Sequence, residues 1–193
     1  MGGGRRLPEP GLTMRRIFVS GPLADFMDVK GESARHIGFS LRMAVGDALG
    51  VAGQDGRCGE AEIVRMTGDT VTLALKKIID STEPPVDVWL AQALPKSDKM
   101  DFIVQKAVEL GVKGLFPLQA ANCVVHYDPA KQADKLRRWQ KIAQEAAQQC
   151  GRGVIPEVGP FVTLSSLFDR VPADTRVLTL YEGPGREGLR SIL

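Results

Sequence analysis

Cysteine is scarce in this chain: Cys58, Cys123 and Cys150 are all there is in 193 residues. They are too few and too scattered for a disulfide framework, which agrees with a reducing compartment. No apolar run approaches the roughly 20 residues that a bilayer-spanning helix needs, and the N-terminus lacks a signal-peptide core. A cytoplasmic protein is expected. Charge of one sign is also missing, since 25 Lys and Arg stand against 23 Asp and Glu for a formal net charge of +2. Bulk charge therefore does not announce a nucleic-acid partner, and any such partner must be argued from where the basic residues lie. Paired metal ligands are lacking too. Cys123-Val124-Val125-His126 stands apart, and Cys58, Cys150 and His36 are not spaced to complete a four-ligand zinc site, so no metal is expected. No Ser/His/Asp set is visible, and His126 beside Tyr127 reads as structural.

What is present is an ordinary globular composition, 44% hydrophobic and 25% charged, long enough for one large domain or two small ones. The stretch from Val86 to Arg152 organises it. Val86 to Leu94 is an apolar run of strand length that stops at Pro95. Ser97 or Asp98 can cap a helix with Met100, Ile103, Ala107 and Leu110 at helical spacing, closed by Gly111. Leu115 to Leu118 and Cys123 to Val125 read as strands. Asp128-Pro129 supplies an N-cap and an N1 proline for a long helix reaching Gly151. Strand, helix, strand, helix predicts a parallel sheet with right-handed crossovers.

That long helix carries Leu136, Trp139, Ala143, Ala146 and Cys150 on one side, so Trp139 is expected in the core. Between Lys131 and Arg152 six basic residues face Asp134 and Glu145, a surplus of four that exceeds the net charge of the whole chain. An exposed helix needs a charged face in any case. Lys96 and Lys99 nevertheless follow the first strand of the sheet, where open α/β folds place their binding crevice, and with Arg138 they are candidates for phosphate contacts.

Residues 1–13, with four glycines and two prolines around Arg5 and Arg6, read as a disordered leader. From Met14 the pattern changes. Arg15 to Val19 reads as a strand, Ser33 can cap a short helix bearing Ala34, Ile37 and Leu41, and Ala48 to Ala52, Glu60 to Met66 and Thr70 to Leu75 are strand candidates separated by tight turns. Short strands at close spacing predict a small β-barrel over 14–76, with 77–85 as linker and 86–193 as the α/β domain. Arg15, Arg16, Arg35, His36 and Arg42 cluster in the first module. They read either as solvated charge or as an RNA grip, because guanidinium groups fork onto phosphates and stack on bases. Arg176 to Tyr181 reads as a strand. Gly183-Pro184-Gly185-Arg186-Glu187-Gly188 follows it and satisfies the letter of a dinucleotide motif, but it follows a late strand instead of opening a βαβ unit, and a metabolic enzyme of doubly wound type is a remote reading.

Gln92-Ala93-Leu94-Pro95-Lys96, Lys99-Met100, Gln105-Lys106, Glu109-Leu110-Gly111-Val112, Pro117-Leu118, Arg138-Trp139-Gln140-Lys141-Ile142, Glu145-Ala146, Gln149-Cys150-Gly151-Arg152 and Pro156-Glu157 together resemble the first part of the methyltransferase domain of the RsmE family. The resemblance implies methylation of uridine N3 in small-subunit ribosomal RNA, with S-adenosylmethionine as cofactor. It implies a PUA-like RNA-binding barrel ahead of a SPOUT-type knotted parallel-sheet domain, and a homodimer whose active site uses both protomers. The expected partner is small-subunit ribosomal RNA or the assembled small subunit. Arg15, Arg16 and Arg42 are expected to contact RNA through the barrel. Arg42 falls where the family carries an arginine after an apolar pair, although Ser40 here replaces an apolar residue. Glu109, Gln149 and Arg152 match the polar positions nearest a substrate pocket. The family's glycine-rich knot loop and its later arginine-glutamate-threonine run do not occur in this sequence, so the cofactor site is expected beyond Leu193, and the chain alone is expected to be inactive. A non-catalytic RNA-binding fragment is the alternative.

Overall fold

The computed structural model describes residues 16–81 and 83–180. The leader, Arg15, the glycine motif at 183–188 and the segment after it lie outside the described residues.

Alternating apolar residues build the first half. β1 (Arg16–Phe18), β2 (Phe26–Lys30), β3 (Ala48–Ala52), β4 (Cys58–Thr67) and β5 (Thr70–Ile79) form one mixed sheet in the order β1-β3-β4-β5-β2. β1 runs parallel to β3 and all other neighbours are antiparallel. Register shifts at Glu60/Ala61 and Ile63/Arg65 bend the long β4–β5 ribbon, as bulges do. Ile17 of one edge strand and Met27 and Val29 of the other share a single buried cluster with Leu49, Ile63 and Leu73, so the sheet curls around its core. The sequence reading lacked β2, although Met27 and Val29 point inward and Phe26, Asp28 and Lys30 outward.

Three further expectations need correcting in this half. The helix after β2, α1 (Gly31–Arg35), has Lys30 at its N-cap position with no side chain capping it, so Ser33 lies inside the first turn. It passes directly into a π-helical turn, His36–Ser40. β5 runs past Lys76 into the presumed linker, because Lys77, Ile78 and Ile79 remain paired with Glu60, Gly59 and Cys58.

The second half is the expected strand and helix alternation. β6 (Trp89–Ala93), β7 (Gly114–Leu118) and β8 (Glu157–Val158) form a parallel sheet in that order, with α2 (Lys99–Glu109), α3 (Pro129–Cys150) and α4 (Leu164–Phe168) between and after them. In α2 the buried positions are Met100, Val104, Ala107 and Val108. Leu110, expected on that face, is 84% exposed because the helix ends at Glu109 and the chain turns away. Asp98 occupies the N-cap position, but its side chain caps nothing. α3 behaves as its termini predict. The Asp128 carboxylate accepts from the Lys131 N–H at 2.9 Å, Pro129 opens the helix, and Gly151 closes it at φ 76, a left-handed conformation that suits glycine. Trp139, Ala143, Ala146 and Ala147 are buried in a cluster shared with α2 and β7, so Trp139 is a core residue as expected.

Two expected strands do not form. Cys123–Val125 lies in a loop because Val162 takes its place beside the end of β7: Gln119 N–H donates to the Val162 carbonyl at 2.7 Å and Val162 N–H to the Pro117 carbonyl at 3.0 Å. Residues 176–180 join no ladder, and Leu178 and Leu180 are exposed.

Candidate nucleic-acid interface

The turn leaving α3 is where the two halves meet. Arg16 is buried and its guanidinium donates to the Gly151 carbonyl, which corrects the expectation that it faces RNA. Arg152, next in line, is also buried. Its Nε donates to Glu83 Oε2 at 3.0 Å, its Nη2 also reaches Glu83 Oε2, and its Nη1 donates to the carbonyls of Val108 at 3.2 Å and Val112 at 2.6 Å. Glu83 additionally accepts from the N–H groups of Gly153 at 2.9 Å and Val154 at 3.3 Å. Burial pushes the Glu83 carboxyl up, but Arg152 and these two N–H donors more than offset it and leave it below the usual value. A Cβ on Gly153 would stand 2.5 Å from Cys58 Sγ, so the start of β4 is pressed against the same turn. One carboxylate from the connecting segment thus fastens the α3 terminus, the end of α2 and the curled sheet together.

This geometry separates the three residues expected to line a substrate pocket. Glu109 and Arg152 border a shallow recess of about 170 Å³ with Pro84, Leu110, Gly111 and Cys150, whereas Gln149 borders a different and larger groove. Arg152 has its donors committed to Glu83 and two carbonyls, so it acts as a structural tie. Glu109, an acid poorly placed for the helix dipole, is explained by its neighbours. Lys106 Nζ at 2.6 Å and Gln105 Nε2 at 2.9 Å donate to it and hold its carboxyl below the ordinary range.

The larger groove, of about 590 Å³, runs between α2 and α3 and is lined by Asp98, Asp101, Phe102, Ile142, Glu145 and Gln149 among others. Asp101 bridges the helices by accepting from Trp139 Nε1 at 3.0 Å through one oxygen and from Arg138 Nε at 3.0 Å through the other. Arg138 is therefore already paired, though its side chain stays 58% exposed.

Lys96 and Lys99 are exposed just beyond the carboxyl end of β6. Neither forms an ion pair among the described residues. Beside them the loop after β7 holds a polar element that the sequence reading passed over. Gln119 Nε2 donates to the Val125 carbonyl at 3.0 Å and lies 2.8 Å from His126 Nδ1. On the other half, Arg42 is exposed and held at φ 53. The expected RNA contacts thus divide: Arg42, Lys96 and Lys99 face outward, Arg138 does so while paired, and Arg16 points inward.

Comparison with known proteins agrees with this architecture. Residues 82–192 match the family described as RNA methyltransferase domain. Ribosomal RNA small subunit methyltransferase E of Bacillus subtilis is 34% identical over 166 residues, covering 86% of this chain and 65% of that protein. The protein of the same name from Buchnera aphidicola subsp. Acyrthosiphon pisum is 31% identical over 146 residues, covering 74% of this chain and 58% of its own length. The chain therefore spans somewhat less than two thirds of these relatives. Among solved structures, a ribosomal RNA small subunit methyltransferase E from Neisseria gonorrhoeae bound to S-adenosyl methionine superimposes with a TM-score of 0.73 at 27% identity, covering 83% of this chain and 67% of that one. A putative methyltransferase from Legionella pneumophila in complex with its bound cofactor gives a TM-score of 0.69 at 30% identity, covering 84% and 73%.

Proposed function

The chain belongs to the RNA methyltransferase family, with relatives named ribosomal RNA small subunit methyltransferase E, and from that membership we propose that it is the RNA-engaging part of an S-adenosylmethionine-dependent enzyme that methylates N3 of a uridine in small-subunit ribosomal RNA. The curled first sheet serves as a PUA-like RNA-binding module, and the parallel sheet as the opening of a SPOUT-type domain that works as a homodimer. The observation that carries this reading is the pairing of that family match with outward-facing cations on both halves: Arg42 on one, Lys96 and Lys99 at the carboxyl end of β6 on the other.

Methylation at uracil N3 requires loss of the imide proton and an in-line approach of nitrogen to the donor methyl, so positioning dominates the chain's share of the work. Phosphate contacts by Arg42, Lys96 and Lys99 hold the strand without reading its sequence. The Glu83 tie keeps the two binding faces at a fixed relative orientation. S-adenosylmethionine, when bound, supplies the methyl group. The larger groove does not fit it: Asp98, Asp101 and Glu145 line it, and Arg138 beside it is already paired with Asp101.

Deleting the gene and digesting small-subunit ribosomal RNA to nucleosides tests the whole reading. 3-Methyluridine is expected to disappear, and its persistence at full level overturns the assignment. For the chain itself, the Lys96→Ala/Lys99→Ala double variant should lower the salt slope of ribosomal RNA binding by roughly 1 to 2, and an unchanged slope removes both lysines from the interface.

A further inference from the structure

Phe39 is 79% exposed, the most exposed phenylalanine among the described residues. It sits in the π-helical turn His36–Ser40, a rare geometry that recurs at functional sites. The turn is anchored from beneath. Ile37 is fully buried, Leu41 N–H donates to the His36 carbonyl at 2.9 Å, and Met43 N–H donates to the Ile37 carbonyl at 3.1 Å. Around that anchor Arg35, His36, Phe39 and Arg42 are all exposed. No acidic residue occurs between Ala34 and Gly46. Neither Arg35 nor Arg42 forms an ion pair among the described residues. Arg42 also occupies the left-handed backbone region at φ 53, where a long side chain is disfavoured and persists only if the surroundings impose it.

We propose that Phe39 is a stacking platform for an unpaired base of single-stranded RNA, with Arg35 and Arg42 taking the phosphates that flank that base. A phenyl ring has no hydrogen-bonding group, so its face selects a planar apolar surface, and every nucleobase offers one. Guanidinium groups on both sides supply the matching charge for a phosphodiester backbone. A single ring set among cations offers too little contiguous apolar area for a protein interface, whose core is depleted of charge. The residue numbers give the same order: Arg35 and Phe39 are four apart, so they share a helical face, and Arg42 follows at the exit of the turn. The inference rests on reading the first sheet as RNA-engaging.

The test uses the 193-residue chain and a short single-stranded RNA carrying one 2-aminopurine. Phe39→Leu keeps an apolar side chain of similar size but removes the π-face, while Phe39→Tyr keeps it. Phe39→Leu should weaken binding roughly tenfold, within the range seen when stacking rings are truncated, and should abolish the 2-aminopurine quenching seen with the parent chain. Phe39→Tyr should restore both. The salt slope should stay constant across these variants and fall with Arg42→Ala. If Phe39→Leu binds and quenches like the parent, the stacking role is wrong while RNA engagement by the chain survives. If the parent binds no RNA, the functional reading fails first and the platform with it. A selective loss of binding to a ribosomal protein, with RNA affinity unchanged, overturns the proposal in favour of a protein contact.

Discussion

Arg152 is a charged residue only 7% exposed, and its energetics follow from what surrounds it. Removing one partner of a buried ion pair leaves the other desolvated and uncompensated, so Arg152→Met should destabilise the chain by about 3 to 5 kcal/mol in a urea titration. A loss near zero would mean that Glu83 finds water or another donor. The same pair sets an acid dependence. Because the folded state holds Glu83 below its ordinary value of 4.5, its stabilisation is complete above that value and is lost as pH falls through the lowered folded one. Stability followed by urea midpoint from pH 6 downward should therefore drop less steeply in Glu83→Gln than in the parent. None of this was legible in the sequence. Glu83 and Arg152 lie 69 positions apart, and a charge destined for burial carries no local mark. Arg16 misled for the same reason, since a strand-opening arginine reads alike whether it turns outward or meets the carbonyl of Gly151.

Elements with chemical punctuation were read well. α3 announced itself through Asp128, Pro129 and Gly151, and the buried Trp139 and alanines followed from period alone. Asp128→Ala removes the acceptor for the Lys131 N–H and should cost about 1 kcal/mol, read as a lower thermal midpoint with unchanged helix content. An equal midpoint would show that solvent replaces the cap without loss. The strand expected at Cys123–Val125 failed because its apolar residues carry no information about who sits beside β7, and Val162 from later in the chain takes that place. The exposed loop it leaves brings Gln119 to His126, a contact fixed by the turn at Ala120–Cys123 and by no spacing rule. β2 shows the opposite case, a real alternation of inward Met27 and Val29 masked because outward Phe26 is apolar as well.

At the scale of the molecule, the order of a β module before a strand and helix alternation was readable from turn residues and periodicity, and the family from the run of matched residues between Gln92 and Glu157. The orientation of one half against the other was not, because it is set by side chains that converge only after both have folded. The proposed division of labour puts the donor site outside the residues described above. Isothermal titration of S-adenosylmethionine into the 193-residue chain should thus give no micromolar binding, and a micromolar isotherm would move the donor site into the residues described above.

The close approach of Gly153 to Cys58 turns that thiol into a built-in reporter. Cys58 is 1% exposed, so a maleimide reaches it only when the junction parts, whereas Cys123 and Cys150 are partly open to solvent, although burial raises the Cys150 thiol as it does that of Cys58. Labelling kinetics should accordingly resolve two fast sites and one slow site, and the slow rate clocks how often the two sheets come apart. If RNA bridges them, its addition should slow that one reaction alone.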